Sequence, residues 1–382
     1  MSTKSTSREN ARPAAPQRGF DAELAALEEL GEEIRAGAIK TGAALDAAAV
    51  EQLRKVLGNR NNFLVSKAAK LVADAEAVAL LPEVLAAYER FFHDPAKTDP
   101  KCWAKEALAK ALVKLEHRGK DAYLRGLRHH QMEPSFGPPV DTAGTLRATC
   151  AHALVACPGI PNDELVALLL EALVDKDKSV RVEAARAIGN VGGTGAALAL
   201  RLRALMGPVK PDLDTPEVLG AVYAALLSIE GVGAIPLVAS VLNEDGDEGG
   251  GDLAAEAAFA LAETRLPEAL AVVIARLGGA GIGGAGQKAP DAWFAGVLTS
   301  AIAMTRLPEA FDFLIGLVER ESRQAPAALE ALGRNAPSAE LRARVEKAVN
   351  GTGSVRLHDA FQEHFAVQEH ARFQEDLEGP RP

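Results

Sequence analysis

The sequence predicts an all-α chain, a right-handed α-solenoid of about eight helical hairpins, and three observations carry that prediction. First, an apolar pattern recurs. With VRVEAARAI (Val180–Ile188) as template, LRATCAHAL begins at Leu146, VLGAVYAAL at Val218, LAAEAAFAL at Leu253 and WFAGVLTSA at Trp293, at successive offsets of 34, 38, 35 and 40. Second, apolar or small residues fall at relative positions 1, 5, 8 and 9 of each block, which is one face of a helix and not the alternation of a strand. Third, aromatics are only 4% of a chain that is 48% hydrophobic, so Ala and Leu must fill the interfaces, as they do between closely packed helices. A period of this length without β-rich runs excludes propellers and leucine-rich repeats.

Residues 1–19, MSTKSTSRENARPAAPQRG, read as a disordered tail without the apolar h-region of a signal peptide. Residues 20–58 hold two helical stretches, FDAELAALEELGEEIRAG and ALDAAAVEQLRKVLG, a degenerate first pair or cap. The repeat array spans 59–350. Weaker copies of the template open it at LVSKAAKLV (from Leu64) and CWAKEALAKAL (from Cys102), and PAALEALGRNAPSAELRARVEKAV (from Pro326) closes it. After each first helix come a Gly/Pro turn and a second apolar helix, such as NDELVALLLEALV (Asn162–Val174) or TGAALALRLRALM (Thr194–Met206). Residues 351–382 form a terminal helix and tail, whose stripe of Leu357, Phe361, Phe365 and Phe373 is expected to cap the last hairpin.

Six residues, TRLPEA, occur at Thr264–Ala269 and again 41 residues later at Thr305–Ala310. Proline is tolerated at the first position of a helix, where its missing N–H has no helical partner, and an acid there meets the positive end of the dipole. Pro267 and Pro308 are therefore expected to start second helices, with TRL as the turn before each. The repetition is a register mark and not a site used twice.

The unit resembles the HEAT family, in particular its short bacterial type, the HEAT-like repeats also found in phycobilisome lyases. The resemblance is carried by DKDKSVRVEAARAIGNVGGTGAALALRLRAL, in which Asp175 or Asp177, Val180, Arg181, Ala184, Ala185, Ile188 and Gly189 stand where that pattern places them. Arg147 repeats the arginine, while Leu219 and Ala254 replace it. The resemblance covers roughly residues 60–350 and implies a fold, not a task. Arg181 and Arg147 are expected to bind the acidic turn before them.

Net charge is −10, and it is unevenly placed: residues 1–200 carry 26 basic and 26 acidic side chains, and 201–382 carry 16 and 26. That balance disfavours general binding to nucleic acid or anionic membranes. A local exception is residues 97–128, where nine Lys and Arg face four acids. Cys102, Cys150 and Cys157 lack metal or disulfide spacing and read as buried thiols. No apolar run is read as approaching the ~20 residues that span a bilayer, and the expected location is cytoplasmic.

Motif by motif, chemistry is scarce. Gly279, Gly281 and Gly284 fit GxGxxG, but no strand precedes them and no GK[ST] follows, so GGAGIGGAG reads as a linker. The acidic NEDGDEGGGD lacks EF-hand spacing. His358, His364 and His370 are six apart, which spreads them around a helix. The Glu363–His364 and Glu369–His370 pairs are similar to those of deoxyhypusine hydroxylase, an iron enzyme with HEAT hairpins. That family, however, places HE pairs in several repeats, and here both lie on one helix in reversed order. Trp103 and Trp293, compared with the tryptophans of HEAT-like alkylpurine DNA glycosylases, align with core positions of first helices.

The expected function is a non-catalytic protein-binding scaffold with no metal and no cofactor, using a concave face and one edge of variable loops. Second helices line the concave surface in HEAT arrays, so Tyr88, Arg125, Arg128, Arg201, Arg203 and Arg276 are the contact candidates, joined by Lys101 and Lys105 from the basic stretch. The alternatives are a HEAT-like enzyme, of bilin lyase or alkylbase DNA glycosylase type, and a nucleic-acid-binding module centred on residues 97–130.

Overall fold

The computed structural model describes residues 18–36, 45–207, 216–243, 250–278, 289–335 and 338–365. Residues 244–249 of the loop NEDGDEGGGD, residues 279–286 of GGAGIGGAG, most of the N-terminal tail, and His370 and Phe373 lie outside these residues. The chain is all-α and forms two compact units, residues 1–158 and 159–382.

Unit 1 contains α1 (Arg18–Arg35), α2 (Ala47–Leu57), α3 (Asn62–Asp74), α4 (Leu81–Arg90), the single turn α5 (Pro95–Thr98), α6 (Trp103–Lys114), α7 (Lys120–Leu127) and α8 (Gly144–Leu154). Between α7 and α8 the proline-rich loop folds back as a two-residue ribbon, Met132–Glu133 antiparallel to Val140–Asp141, a feature absent from the purely helical expectation. Unit 2 contains α9 (Asn162–Leu173) and then five hairpins: α10 (Lys178–Val191) with α11 (Gly193–Met206), α12 (Pro216–Glu230) with α13 (Ile235–Val241), α14 (Gly250–Glu263) with α15 (Pro267–Leu277), α16 (Ala292–Met304) with α17 (Pro308–Glu319), and α18 (Ala325–Asn335) with α19 (Ala339–Thr352). Within this unit each first helix packs on the next first helix and on the second helices beside it.

Both copies of TRLPEA adopt one hydrogen-bonded turn. Thr264 Oγ1 donates to Leu261 O at 2.6 Å and accepts from Leu266 N at 3.2 Å; Thr305 Oγ1 does the same with Ile302 O (2.7 Å) and Leu307 N (3.4 Å). Arg265 (φ +53°) and Arg306 (φ +56°) turn the chain through the left-handed region, and Pro267 and Pro308 begin α15 and α17. The threonine supplies a cap to each end of the turn, which is why this residue recurs.

Helix starts follow the same economy. Asn61 caps α3, Asp177 caps α10 and Asp291 caps α16 through side-chain oxygens. These caps correct the alignment of the fourth copy of the template. Val180 lies three residues after its cap, and three residues after Asp291 comes Phe294, not Trp293. Phe294 takes the core position, while Trp293 is 52% exposed and lies over Gly251. Trp103 is likewise 42% exposed, its ring 5.9 Å from that of Phe63. Core packing of these two tryptophans is thus overturned, and the corrected repeat offset, from Leu253 to Phe294, equals that of TRLPEA.

One further reading is corrected. The stretch Pro216–Val241 is long and apolar enough to cross a bilayer, although its most apolar window is 61% buried here. The 3-10 turn Gly231–Ala234, entered at Gly231 with φ +55°, divides it into the two helices of a hairpin.

The polar centre of unit 1 is a fully buried ion pair. Lys105 Nζ lies 2.9 Å from Asp99 Oδ2, both side chains without solvent exposure, and also reaches Phe91 O at 3.3 Å. The same carboxylate accepts from the backbone N–H groups of Ala104 (2.8 Å) and Lys105 (3.0 Å) and from Asn62 Nδ2 (3.0 Å), so it caps α6 after two consecutive left-handed residues, Lys101 and Cys102. Nearby, Asp141 accepts from Gln131 N, Ala143 N, His130 and Arg147. Burial opposes its charge, but those donors prevail and hold its carboxyl at about 2. At the other end of the chain, residues 355–365 form a helix with Leu357, Phe361 and Phe365 buried, and His364 lies against Gly333 of α18.

Two outcomes follow for unit 1. Replacing Lys105 by Met strands the Asp99 charge and is expected to cost about 3–5 kcal/mol in a urea-unfolding measurement. All three cysteines are buried, and burial lifts the thiols of Cys102 and Cys150 to about 12. A colorimetric thiol reagent should therefore label none in the native protein and all three in denaturant, with labelling of K105M accelerated as unit 1 opens more often.

Candidate functional site

On α10, α12 and α14 the chain places small residues where the first helices meet. A Cβ added to Gly189 would lie 2.8 Å from Cβ of Ala225, and one added to Gly220 would lie 2.3 Å from Oε2 of Glu256. Backbones that approach this closely leave little for side chains to fill, and a groove of about 400 Å³ opens on the outer face of the three helices. Its floor is Ala221, Ala224, Ala225, Ala260 and Phe259; Arg186, Glu217, Glu256 and Glu263 rise beside it. A second hollow of about 440 Å³ shares Ala224, Ser228, Ala260 and Glu263 and extends to Thr264 at the first TRLPEA turn.

The charges are not equivalent. Arg186 pairs with Glu183 at 2.6 Å and Glu217 with Lys178 at 3.2 Å, both at the surface. Glu256 is half-buried over Gly220. Burial first, and then the neighbouring charges of Glu217, Glu263 and Asp252, push its carboxyl above the usual glutamate range. Both causes disfavour the carboxylate, and a cation entering the groove would relieve the second directly. An apolar floor beneath carboxylates suits a lysine or arginine, whose aliphatic stem packs while its head pairs. Among the described residues no group of three or more His, Cys, Asp and Glu side chains is placed to hold a metal ion.

Four of the eight contact candidates drawn from the sequence, Tyr88, Lys105, Arg203 and Arg276, are buried within their own units. Tyr88 is buried, its hydroxyl donating to Ala122 O at 3.3 Å. Lys105 is the buried partner of Asp99. Arg203 is buried and donates to Gly207 O at 2.9 Å; Arg276 is buried, donates to Leu242 O at 2.8 Å and covers the ring of Phe294. Arg201 is paired with Glu230, and Arg125 with Glu89 while stacking over Phe92. Lys101 and Arg128 are exposed, the former over the Trp103 ring at 4.9 Å. Arg181 and Arg147 do hold the preceding turns, Arg181 through Asp175 O (2.6 Å) and Lys176 O (3.0 Å), and Arg147 through Asp141 (2.9 Å) and His129 O (3.0 Å).

The groove residues were available to the same template that revealed the repeat. Positions 4, 7 and 11, counted from Val180, Val218 and Leu253, fall on one side of each helix. Read down the copies they are Glu183, Ala221 and Glu256; Arg186, Ala224 and Phe259; and Asn190, Ser228 and Glu263. The column lies on first helices, whereas Arg201, Arg203 and Arg276 lie on second helices.

No protein-family model matches the chain, and no curated protein does. Among solved structures, human deoxyhypusine hydroxylase in complex with glycerol is 16% identical over 76% of this chain and 99% of that one, with a TM-score of 0.26. An engineered protein is 16% identical over 92% of this chain and 97% of that one, with a TM-score of 0.35.

Because the folded state raises the Glu256 value, its protonated form fits better than its charged form. Wild-type stability should therefore increase on acidification from pH 7 toward the ordinary glutamate range, and Glu256→Gln should remove that component and raise the melting temperature at pH 7. Thermal melts of the two proteins across that pH range measure both effects.

Proposed function

We propose that the chain is a HEAT-like, non-catalytic protein-binding scaffold, of the short bacterial repeat type, whose unit 2 groove takes a basic segment of a partner protein. The observation that carries this reading is Glu256: a carboxylate half-buried over a glycine and beside an alanine floor, which burial and the neighbouring acids raise above the usual glutamate range. Acids held against stability are characteristic of sites that bind opposite charge. Glu217, Glu256 and Glu263 together give the groove a negative field that would speed the approach of a basic partner.

The basic stretch supports the nucleic-acid alternative less well. Lys97 pairs with Asp94, Lys105 with Asp99, Lys110 with Glu106 and Arg125 with Glu89, so much of its charge is already answered within the chain. Phosphate neutralisation needs cations that release counterions to solution, and paired ones contribute little.

Capture from native lysate tests the proposal, with the wild-type chain and Glu217→Lys/Glu256→Lys/Glu263→Lys compared as baits by quantitative mass spectrometry. Expected is a set of proteins retained by the wild type, lost from the variant by tenfold or more, and released by salt. Equal capture by both baits would remove the groove from the function.

A further inference from the structure

The helix α11 is apolar on two sides. Its inner side buries Ala196, Ala197, Leu200 and Ala204, as expected of a second helix. Its outer side presents Leu198, Leu202, Leu205 and Met206, each between 58 and 65% exposed. These four recur at the spacing of a helix-packing seam, and Arg201, the one charged residue partly exposed on this helix, is paired with Glu230. Alongside lies α9, whose start faces that of α11, Asp163 lying near Gly195. It adds Leu170 (38% exposed), with Val174 (76% exposed) just beyond its end. A helix with apolar stripes on two opposite sides calls for a partner on each.

We infer that this face is covered by a second copy of the chain, making the protein a homodimer through α9 and α11. Area and composition select this occupant. At roughly 120 Å² per full aliphatic side chain, the figure implied by about 3 kcal/mol of burial at about 25 cal/mol per Å², the six side chains offer roughly 400 Å². A standard interface buries about 800 Å² per partner, and homodimer interfaces are about 65% apolar, which calls for roughly 500 Å² of apolar surface. The patch supplies most of it. Transient partners meet surfaces no more apolar than average, whereas the four exposed side chains of α11 form the uncharged stripe of a permanent, self-complementary contact, with the exposed acids Asp163, Glu164 and Glu171 of α9 beside it. The inference does not use the groove, which lies on the first helices.

Light scattering of the full chain after gel filtration, from about 1 to 50 μM, tests it within the range where a standard interface holds. Expected is twice the chain mass of 40.0 kDa. Leu198→Glu/Leu202→Glu/Leu205→Glu should give the single-chain mass with unchanged helical circular dichroism, since exposed glutamate is well tolerated in a helix. Should the triple variant lose helix, Leu202→Glu alone decides, with an expected dissociation constant raised at least tenfold. The groove variant with three lysines should remain dimeric. A wild-type chain of single mass throughout, as when another segment of the same chain covers the stripe, overturns the inference. So does a folded Leu202→Glu variant that dimerises unchanged, or a groove variant that dissociates.

Discussion

Each short helix ends in carbonyl groups without helical partners, and an array of short helices packs many of those ends against its neighbours, away from water. The placement of several arginines in this protein follows from satisfying them. Arg90 donates to Leu57 O and Asn59 O, Arg276 to Leu242 O, Arg203 to Gly207 O and Arg181 to Asp175 O and Lys176 O. The acceptors sit one repeat upstream, in the adjoining turn, or just beyond the helix end, so several of these guanidinium groups tie consecutive units together. Arginine suits the task because its planar fork bears five donors and keeps its charge when enclosed. Arg203 and Arg276, so employed, are withdrawn from the surface, which is the physical reason that these two second-helix arginines present no contact face.

Where no arginine serves, the backbone turns on itself. Glu76, Glu116 and Glu321 adopt positive φ, and the N–H after each reaches back to Val72, Leu112 and Leu317. The left-handed conformation costs each roughly 1–2 kcal/mol, a cost offset by the carbonyl it satisfies. TRLPEA solves the same problem with a threonine hydroxyl, and it recurs because one junction geometry recurs. Unit 1 departs furthest from this economy, spending a buried Asp99–Lys105 pair on one helix start.

The fold was legible because core positions obey a period, and the period survived a one-residue slip at Trp293. That slip shows where pattern reading fails: an aromatic at a helix start scores as core, while the cap at Asp291 assigns the core to Phe294. Buried Arg147 and Arg181 were placed correctly from the turns before them. The groove was not legible as a site, since Gly189 and Gly220 matter through the distance between helices, and a sequence carries no such distance. Glu256 is unremarkable in its own helix and becomes unusual only beside Gly220 and the acids of its neighbours. The exposure of Leu202 was equally hidden, because an apolar residue on an apolar helix reads as core on either side.

The two faces of unit 2 differ in a way that makes the two proposals compatible. With core positions committed to packing, the outward positions are free to differ, and here they have done so in opposite senses: the first helices α12 and α14 carry Glu217, Glu256 and Glu263, and the second helix α11 carries Leu198, Leu202 and Leu205. A chain of net charge −10 repels its copies at most orientations. The stripe of α11 is a place where two copies can meet without bringing carboxylates together, and contact there leaves the acidic groove facing solvent. Pairing would also present two grooves at once, so that a partner with two basic segments would be held more tightly than either groove holds one.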